Sequence, residues 1–313
     1  MYDWHKMVNT IVDEIDNSIQ QGDDEGLALS ALARRLGYSE FHASRKFHEI
    51  SGLRLRDYLR LRRLAYALIQ VRDTRRSFLD IGLNYGFSSH EAFTRAFKAA
   101  YGTTPKAYRN CPRPVVLRTK INTFDRYTLG IGEIGMVKTN EDVKVYFATI
   151  PAHKFLHIKN YDSQGYFDFW EKQEKVQGQQ HDTICGLLDS IKGKLDGRDD
   201  VIGLYSGHIM GHIHEDGKRA EAYGVRLPAD YAGEVPPNML MLDIPEAEYI
   251  VFEHGPFDFD SQSDAVGESV LKAAKSFDYT KTDYELDDNM GRIGYFYFVP
   301  EQFYKHVKPV RKN

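Results

Sequence analysis

The sequence predicts a multidomain protein, in which an all-α domain with two helix-turn-helix units is followed by an α+β domain of two βαββ repeats. The chain has 313 residues, more than one ordinary hydrophobic core accommodates. Its apolar residues recur every three or four positions up to Pro112 and Pro114, and every second position from about Val143. Each part also contains an internal repeat. We therefore expect domains at residues 1–112 and 143–313, joined by a linker at 113–142.

Composition excludes several classes of protein. The sequence has no run of about 18 uncharged apolar residues, and its first stretch, MYDWHKMVNTIVDEIDN, places acids where a secretory signal needs apolar residues. We expect a cytoplasmic protein without membrane contact. Cys111 and Cys185 are the only cysteines, too few for a disulfide framework or a cysteine zinc site, and no cofactor is predicted.

Charge is divided unevenly along the chain. Residues 1–118 carry 19 Lys/Arg against 13 Asp/Glu, a net charge of +6, whereas the remainder carries 22 against 32, a net charge of −10. A basic part joined to an acidic part suggests that only the first meets a polyanion. Chance unevenness among solvated faces is the alternative.

The helical part repeats itself about 50 residues further along. Gly37-Tyr38-Ser39 matches Gly86-Phe87-Ser88 at a shift of 49. Each copy reads as a helix, a glycine-containing turn and a second helix, the outline of a helix-turn-helix. An ordinary helical bundle would explain the apolar stripes but not a basic residue at one place on both exposed faces. The pairs that match at a shift of 50 are Arg45 with Arg95, Phe47 with Phe97, Gly52 with Gly102, and Tyr58 with Tyr108.

Local signals predict the elements of this part. Gly86 permits a sharp turn, and Ser88 or Ser89 can cap the helix that follows. Thr104-Pro105 reads as an N-cap followed by proline at the first helical position. A longer amphipathic helix around residues 55–71 separates the two copies. An earlier helix is predicted from the apolar stripe of Val8, Ile11, Val12, Ile15 and Ile19.

The second part shows its own repeat. VKVYFATIPAHKFLHI resembles MLMLDIPEAEYIVF, with Ile150-Pro151 and Phe155 matching Ile244-Pro245 and Tyr249 at a shift of 94. A helix candidate follows each copy, and two strand candidates follow each helix. We infer two βαββ units whose pseudo-twofold junction offers a place for a cleft.

Exposed side chains of the second helix in each helix-turn-helix are candidates for reading DNA. The Arg45 and Arg95 guanidinium groups can each bond a guanine edge in two places, Phe41 suits a thymine methyl group, and Glu91 suits cytosine N4. Ser44, His90 and Thr94 lie in the same helices. The arginines predicted to meet phosphates are Arg54, Arg56, Arg60, Arg62, Arg72, Arg75 and Arg76.

These motifs resemble the AraC/XylS family. GxS followed by F-x-x-x-Arg-x-Phe, and then Gly-Thr-Thr-Pro-Lys-Ala-Tyr-Arg, is similar to its signature over about residues 5–110. The resemblance implies a transcription regulator whose partners are double-stranded promoter DNA and RNA polymerase. It also implies that bases face Phe41, Ser44 and Arg45 in one unit, and His90, Glu91, Thr94 and Arg95 in the other. Phe41 and Ser44 stand where stress-response members have Trp and Gln.

The second part resembles the GyrI-like (SHS2-repeat) effector-binding domain over about residues 143–309, through the repeated Ile-Pro strand starts, the stretch from His254 to Phe257, and Asp283-Tyr284-Glu285. The resemblance implies that Glu285 lies in an aromatic-walled cleft for a cationic or amphipathic small molecule. Asp287 departs from the aromatic residue usual two positions after this glutamate. The candidate walls, each of which ordinary core packing would also explain, are Tyr166, Trp170, Tyr205, Tyr223, Phe257 and Tyr297.

Two further patterns are weaker. GIGEIG at residues 130–135 fits GxGxxG but has no helix signal after it, so a dinucleotide site is not expected. His208, His212 and His214 would share one face of a strand and could bind zinc, but no acid or cysteine ligand is close in sequence, which favours a solvent-facing hairpin.

The leading hypothesis is a one-component transcription regulator that binds DNA through its first domain and a small-molecule effector through its second. An enzyme is not expected. Two alternatives remain for the second domain, a small-molecule hydrolase that uses Glu285 as general base or a protein-interaction module.

Overall fold

The computed structural model describes two compact units. The helical unit comprises Met1–Ile131 with Asp182–Ser190, and the sheet unit comprises Gly132–His181 with Ile191–Asn313. Residues 182–190 therefore lie with the helical unit, although the sequence placed them in the second domain. The structure describes residues 2–23, 27–35, 37–118, 120–121, 143–191, 207–215, 217–255, 257, 259–289, 291–299 and 303–312. GIGEIG lies outside them.

The helical unit contains the two expected helix-turn-helix units. Helices α2 and α3 form the first, α5 and α6 form the second, and α4 lies between them in the chain. The helices are α1 Tyr2–Gln21, α2 Leu29–Arg35, α3 Glu40–Ser51, α4 Leu55–Asp73, α5 Phe78–Asn84, α6 His90–Tyr101 and α7 Pro105–Asn110.

Helices α3 and α6 have the same length and the same caps. Ser39 accepts a hydrogen bond from the backbone N–H of His42 at 3.3 Å, and Ser89 accepts one from that of Ala92 at 3.1 Å. Both helices end at a left-handed glycine, Gly52 with φ 70° and Gly102 with φ 71°. The chain thus places two equal helices 50 residues apart, as the repeat predicts.

Packing of aromatic rings repeats as well. Phe47 of α3 meets Tyr58 of α4 at 5.4 Å between ring centroids, and Phe97 of α6 meets Tyr108 of α7 at 5.9 Å. All four side chains are buried. The tyrosines follow Gly52 and Gly102 by six residues in both copies, so each helix end is packed by the same pair of rings.

A segment distant in sequence completes the helical unit. Helix α9, His181–Ser190, packs along residues 115–118 through hydrogen bonds from Leu117 N–H to Gly186 O and from Val115 N–H to Ser190 Oγ. An added Cβ at Gly186 would lie 2.3 Å from Leu117 O, so the two backbones approach as closely as they do only because this residue is glycine.

The sheet unit is an α+β domain built on one antiparallel sheet, as the alternating pattern predicted. Its strand order is β1-β6-β9-β8-β3-β4-β2-β5, and β7 pairs with β9. The strands are β1 Lys144–Ile150, β2 His153–Asn160, β3 Ile209–Glu215, β4 Lys218–Pro228, β5 Leu240–Ile244, β6 Ala247–His254, β7 Tyr284–Leu286, β8 Ile293–Val299 and β9 Phe303–Lys312; its helices are α8 Gly165–Gln173, α10 Phe259–Ser276 and a 3-10 turn, Tyr279–Lys281.

The two repeats meet at the centre of this sheet. The first contributes β2, α8, β3 and β4, and the second contributes β6, α10, β8 and β9, with β3 paired to β8 at the junction. Each repeat begins with one strand in addition to the expected βαββ, β1 in the first and β5 in the second. Each of these two strands pairs with a strand of the other repeat. β1 pairs with β6 of the second repeat, and β5 pairs with β2 of the first.

Both faces of the sheet are packed. On one face Trp170 of α8 contacts Tyr223 of β4, and Val266 and Val270 of α10 join a core with Phe252. On the other face His153 Nε2 of β2 lies 2.6 Å from the Tyr295 hydroxyl of β8. Two strands separate β2 from β8, about 14 Å across a flat sheet, so the sheet curls around this second core. No described helix is long and apolar enough to cross a membrane.

Candidate functional site

Helices α3 and α6 present equivalent exposed faces. Phe41 is 76% exposed, and the side chain of Glu91, which follows it by 50 residues, is 81% exposed. Arg45 and Arg95 are both exposed, as is His90. Buried, half-buried and exposed residues follow one another in the same order over 41–50 and 91–100. Both helices thus bury the same side and leave the same side to solvent.

Ser44 and Thr94 occupy half-buried places on the two helices. The Thr94 Oγ1 atom is buried and has no hydrogen-bond partner among the described residues. The Thr94 hydroxyl is therefore turned away from solvent.

The charges around the two exposed arginines differ. Arg45 Nε lies 3.4 Å from Glu49 Oε1 within α3, whereas Ala99 occupies the corresponding position of α6. Glu91 is held ionised at the start of α6, because hydrogen bonds from its own backbone N–H and from Ser89 lower its pKa. Within the part of the chain that the structure describes, the Arg45 guanidinium is thus paired inside its own helix, whereas no ion pair involves that of Arg95.

Five of the seven arginines predicted to meet phosphates are exposed, and two are not. Arg62 is buried and holds Asp16 through Nε at 2.9 Å and Nη2 at 2.7 Å, while its Nη1 donates to Arg118 O. Arg72 donates to Ser190 O at 2.7 Å and to Asp73. These two predictions are wrong, because both guanidinium groups hold the helical unit together. The exposed arginines are Arg54, Arg56, Arg60, Arg75 and Arg76.

Three of the six candidate walls form a cluster in the sheet unit. Trp170 lies 4.8 Å from Tyr223 and 6.5 Å from Tyr166 between ring centroids. Sequence reasoning missed two histidines in the same cluster. His181 lies 4.7 Å from the Trp170 ring, and His208 Nδ1 lies 3.1 Å from the Tyr223 hydroxyl. Their distance in sequence from Trp170 left no local signal.

Two of the other candidate walls lie on other elements of the sheet unit. Phe257 belongs to the core under α10, beside Phe252 and Val266. Tyr297 is on β8, opposite Lys305. Tyr205 lies outside the described residues. Tyr166, Trp170 and Tyr223 are thus the predicted walls that the described residues bring together.

Glu285 does not have the enclosed setting expected for a cleft carboxylate. It lies on the short strand β7, its side chain is 49% exposed, and Arg311 donates to its Oε1 at 2.6 Å. Half exposed and paired with arginine, Glu285 lacks the enclosed setting that the hydrolase alternative requires.

A different carboxylate is enclosed. Glu221 of β4 is 3% exposed and faces His212 of β3 across the strand pair. Arg219 donates from Nη2 to Glu221 Oε1 at 2.9 Å. Burial raises the pKa of Glu221, but His212 and Arg219 lower it overall, so the group is ionised. An acid at an inward-facing strand position opposite a histidine was the signal available in the sequence.

Two of the three histidines considered for zinc have separate partners. His208 contacts Tyr223, and His212 contacts Arg219 and Glu221. Among the residues that the structure describes, no group of three His, Cys, Asp or Glu side chains is placed to hold a metal ion.

The family match lies within the helical unit. Residues 32–110 match a family described as "Helix-turn-helix domain". The Right origin-binding protein of Escherichia coli K12 is 42% identical over 138 residues, which cover 44% of this chain and 40% of that protein. The solved structure of SAV2435 bound to tetraphenylphosphonium covers 54% of this chain and 94% of its own, at 15% identity and a TM-score of 0.35. A likeness at this TM-score supports no conclusion about the fold or the function of this chain.

A shorter relative matches over nearly its whole length. Regulatory protein SoxS of Escherichia coli K12 is 32% identical over 105 residues, which cover 34% of this chain and 94% of that protein. The chain spans only two fifths of the length of the Right origin-binding protein, so the activity of that whole relative is not carried over. Taken with the paired helix-turn-helix units, these matches show that the chain belongs to the AraC family of transcription regulators.

Proposed function

We propose that the protein binds double-stranded promoter DNA through α3 and α6, and that a small molecule bound in the sheet unit controls this binding. RNA polymerase is the proposed further partner. The observation that carries the proposal is the pair of equal helices with the same buried side and an exposed arginine at the same place. A scaffold that only needed to fold would have no reason to repeat that outer side chain.

Each exposed side chain has a proposed role. Arg45 and Arg95 bond guanine edges, Phe41 contacts a thymine methyl group, and Glu91 accepts from cytosine N4. Ser44 adds a contact to the bases that α3 meets, and His90 and Thr94 add contacts to the bases that α6 meets. Because Arg45 is paired with Glu49, we propose that α6 contributes more to sequence preference than α3.

The five exposed arginines are proposed to meet phosphates. Neutralising several phosphates releases counterions, so the affinity for DNA should fall by about 10³-fold or more between 50 and 200 mM salt. Binding measured by fluorescence anisotropy over this range tests the electrostatic part. An affinity that does not respond to salt would count against DNA as the partner.

Selection of bound fragments from random DNA tests the reading roles. Arg95→Ala should cost about 1–3 kcal/mol at one base pair and relax the preference there. Arg75→Ala is the matched control, because loss of a phosphate contact should weaken binding to all sequences alike. An unchanged sequence profile for Arg95→Ala would remove this residue from the proposal.

Control by an effector is supported by the ring cluster of Tyr166, Trp170 and Tyr223. Aromatic faces attract cations and cover apolar ligands. The chain has two tryptophans, Trp4 and Trp170, so in Trp4→Phe all tryptophan emission comes from this cluster. Titration with tetraphenylphosphonium, an apolar cation, should change its emission and the affinity for the selected DNA. A ligand changes DNA affinity only if it favours one conformation, so altered emission with unaltered DNA affinity would contradict effector control.

A further inference from the structure

Helix α9 belongs to both units of the chain. Its first residue, His181, is part of the sheet unit, and the rest of the helix, Asp182–Ser190, is part of the helical unit. The ten residues form one continuous helix. A displacement of its first turn is therefore passed along the helix, because each turn is hydrogen-bonded to the next.

The first residue of α9 is held by the ring cluster and its surroundings. The His181 ring meets the Trp170 ring edge-on with 4.7 Å between centroids, and its Nε2 lies 3.3 Å from the Tyr166 hydroxyl. The backbone N–H of His181 donates to Glu174 Oε1 at 3.0 Å. The sheet unit thus fixes both the side chain and the backbone at the point where the helix begins.

The ring cluster is closed around Trp170. This side chain is 0% exposed, so a ligand can reach its ring only if a neighbour moves. Tyr223 is a firm neighbour, because β4 is hydrogen-bonded to β2 on one side and to β3 on the other. His181 stands at a helix end, and helix ends open more readily than paired strands. We therefore expect His181 to yield, together with the first turn of α9.

The body of α9 is bound within the helical unit. Leu117 N–H donates to Gly186 O at 3.2 Å, and Val115 N–H donates to Ser190 Oγ at 2.9 Å. Arg72 of α4 donates from Nη1 to Ser190 O at 2.7 Å. The last two turns of α9 are thus attached both to residues 115–118 and to α4.

Helix α4 is held at a second place through the same segment. Arg62, about three turns before Arg72, donates from Nη1 to Arg118 O at 2.5 Å. Helix α4 contacts both α3 and α6. Its position therefore sets the separation of the two helices proposed to read DNA, and α9 together with residues 115–118 helps to hold that position.

We propose that α9 couples the effector site to DNA binding, with Gly186, Ser190 and Arg72 as positioning residues. While the ring cluster is closed, α9 holds α4, and α3 and α6 keep one separation. A ligand in the cluster displaces His181 and loosens α9 from residues 115–118, so DNA selected by the ligand-free chain is bound less tightly. This inference rests on the proposed effector role of the sheet unit, and it names the element that carries the signal.

Hydrogen exchange in the whole chain, followed on peptides that cover residues 115–118, tests the movement of α9. Tetraphenylphosphonium should speed exchange there, because the acceptors on α9 move away. His181→Ala should do so without ligand, since it removes the ring that rests on Trp170. Thr183→Ala alters the same helix without touching these contacts and should exchange as the unaltered chain does. Unchanged exchange in His181→Ala, or in the unaltered chain with ligand bound, would overturn the coupling.

Gly186→Ala tests whether the movement reaches DNA. The added Cβ would lie 2.3 Å from Leu117 O, which forces α9 away from residues 115–118. Affinity for the selected DNA should fall about fivefold or more without ligand, and tetraphenylphosphonium should lower it no further. A merely structural role would lower stability and leave the effect of the ligand in place. Ser190→Ala removes one acceptor and gives the same pattern in milder form if thermal unfolding shows that Gly186→Ala does not fold.

The two proposals fail in different ways. If the ligand lowers the DNA affinity of Gly186→Ala as much as that of the unaltered chain, effector control stands and α9 does not carry it. If the ligand binds without changing the DNA affinity of the unaltered chain, effector control is contradicted. The ligand-free DNA affinities of His181→Ala and Gly186→Ala then decide the role of α9 by themselves, and affinities equal to that of the unaltered chain would overturn it.

Discussion

The helical repeat and the sheet repeat of this chain differ in which features their two copies share. In the helical repeat, Arg45 and Arg95 show that an exposed side chain is kept along with the buried pattern. In the sheet repeat, strand pairing is kept but the charged position is not. Phe155 pairs with Arg226, and its counterpart Tyr249 pairs with Pro309. Glu221 lies five residues before Arg226 on β4, and Tyr304 lies five residues before Pro309 on β9. Tyr304 therefore occupies the position in the second repeat that corresponds to Glu221 in the first.

This difference indicates two uses of duplication. A repeated outer arginine suits a partner that is itself repetitive, as the successive major grooves of DNA are. An acid present in only one sheet repeat makes the junction asymmetric and suits one small ligand. Matched substitutions can test whether the helical copies are equivalent and whether the pH-sensitive charges lie in the sheet unit.

The largest expected effects concern equivalent core positions. Phe47→Ala and Phe97→Ala each remove a buried ring that packs on a tyrosine, and should each lower the free energy of unfolding by about 3–5 kcal/mol. Urea unfolding followed by circular dichroism measures both. Lys98→Ala, on the exposed side of α6, should change it by less than about 0.5 kcal/mol. A loss at only one phenylalanine would break the equivalence of the copies.

Acid should destabilise the sheet unit through two buried histidines. Burial lowers the pKa of His157 to about 4 and that of His306 to about 3. The pKa of a histidine in the unfolded chain is about 6.5. Below that pH the unfolded chain binds more protons than the folded chain does, so stability falls as the pH drops. The loss is roughly 2 kcal/mol for each histidine near pH 5.

Urea unfolding of Trp4→Phe, followed by Trp170 emission at pH 7.5 and pH 5, measures this loss. His306→Gln in that background removes one titrating group and should reduce the dependence on pH. Equal stability at the two pH values would show that these histidines are not held neutral in the folded chain.

The helix caps should contribute equally. Ser39→Ala and Ser89→Ala each remove a hydroxyl that accepts from a backbone N–H in the first turn, and each should cost about 1 kcal/mol of unfolding free energy. Substitution by glycine should cost only a few tenths of a kcal/mol. Thermal unfolding compares the four variants. Unequal losses at the two serines would show that α3 and α6 begin in different ways.

The smallest effect separates the two arginines. Glu49→Ala should free Arg45 and strengthen DNA binding by at most about fivefold, the size of an exposed ion pair of about 0.2–1 kcal/mol. Ala99→Glu should weaken it by placing the same partner beside Arg95. Anisotropy at two salt concentrations measures both. The same direction of change in the two variants would contradict the proposed difference between α3 and α6.

Local patterns were sufficient for most of the elements. The serine caps, the glycine turns and Thr104-Pro105 are signals within a few residues of each other, and Thr104 indeed caps α7. Strand alternation likewise identified the sheet. The assignment of Arg62 to phosphate failed, because its partner Asp16 lies 46 residues away and no local pattern announces that pairing.

By itself, then, the sequence determined that a duplicated helix-turn-helix precedes a duplicated strand-rich part, since helix and strand periods and caps are properties of neighbouring residues. Only the tertiary structure decided which acid is enclosed. Glu285 is half exposed on β7, where it is paired with Arg311, whereas Glu221 is buried on β4 opposite His212 of β3. Burial of a charge depends on strands that meet from distant parts of the chain, so the hairpin pattern that places Glu221 opposite His212 did not by itself show that this carboxylate is enclosed.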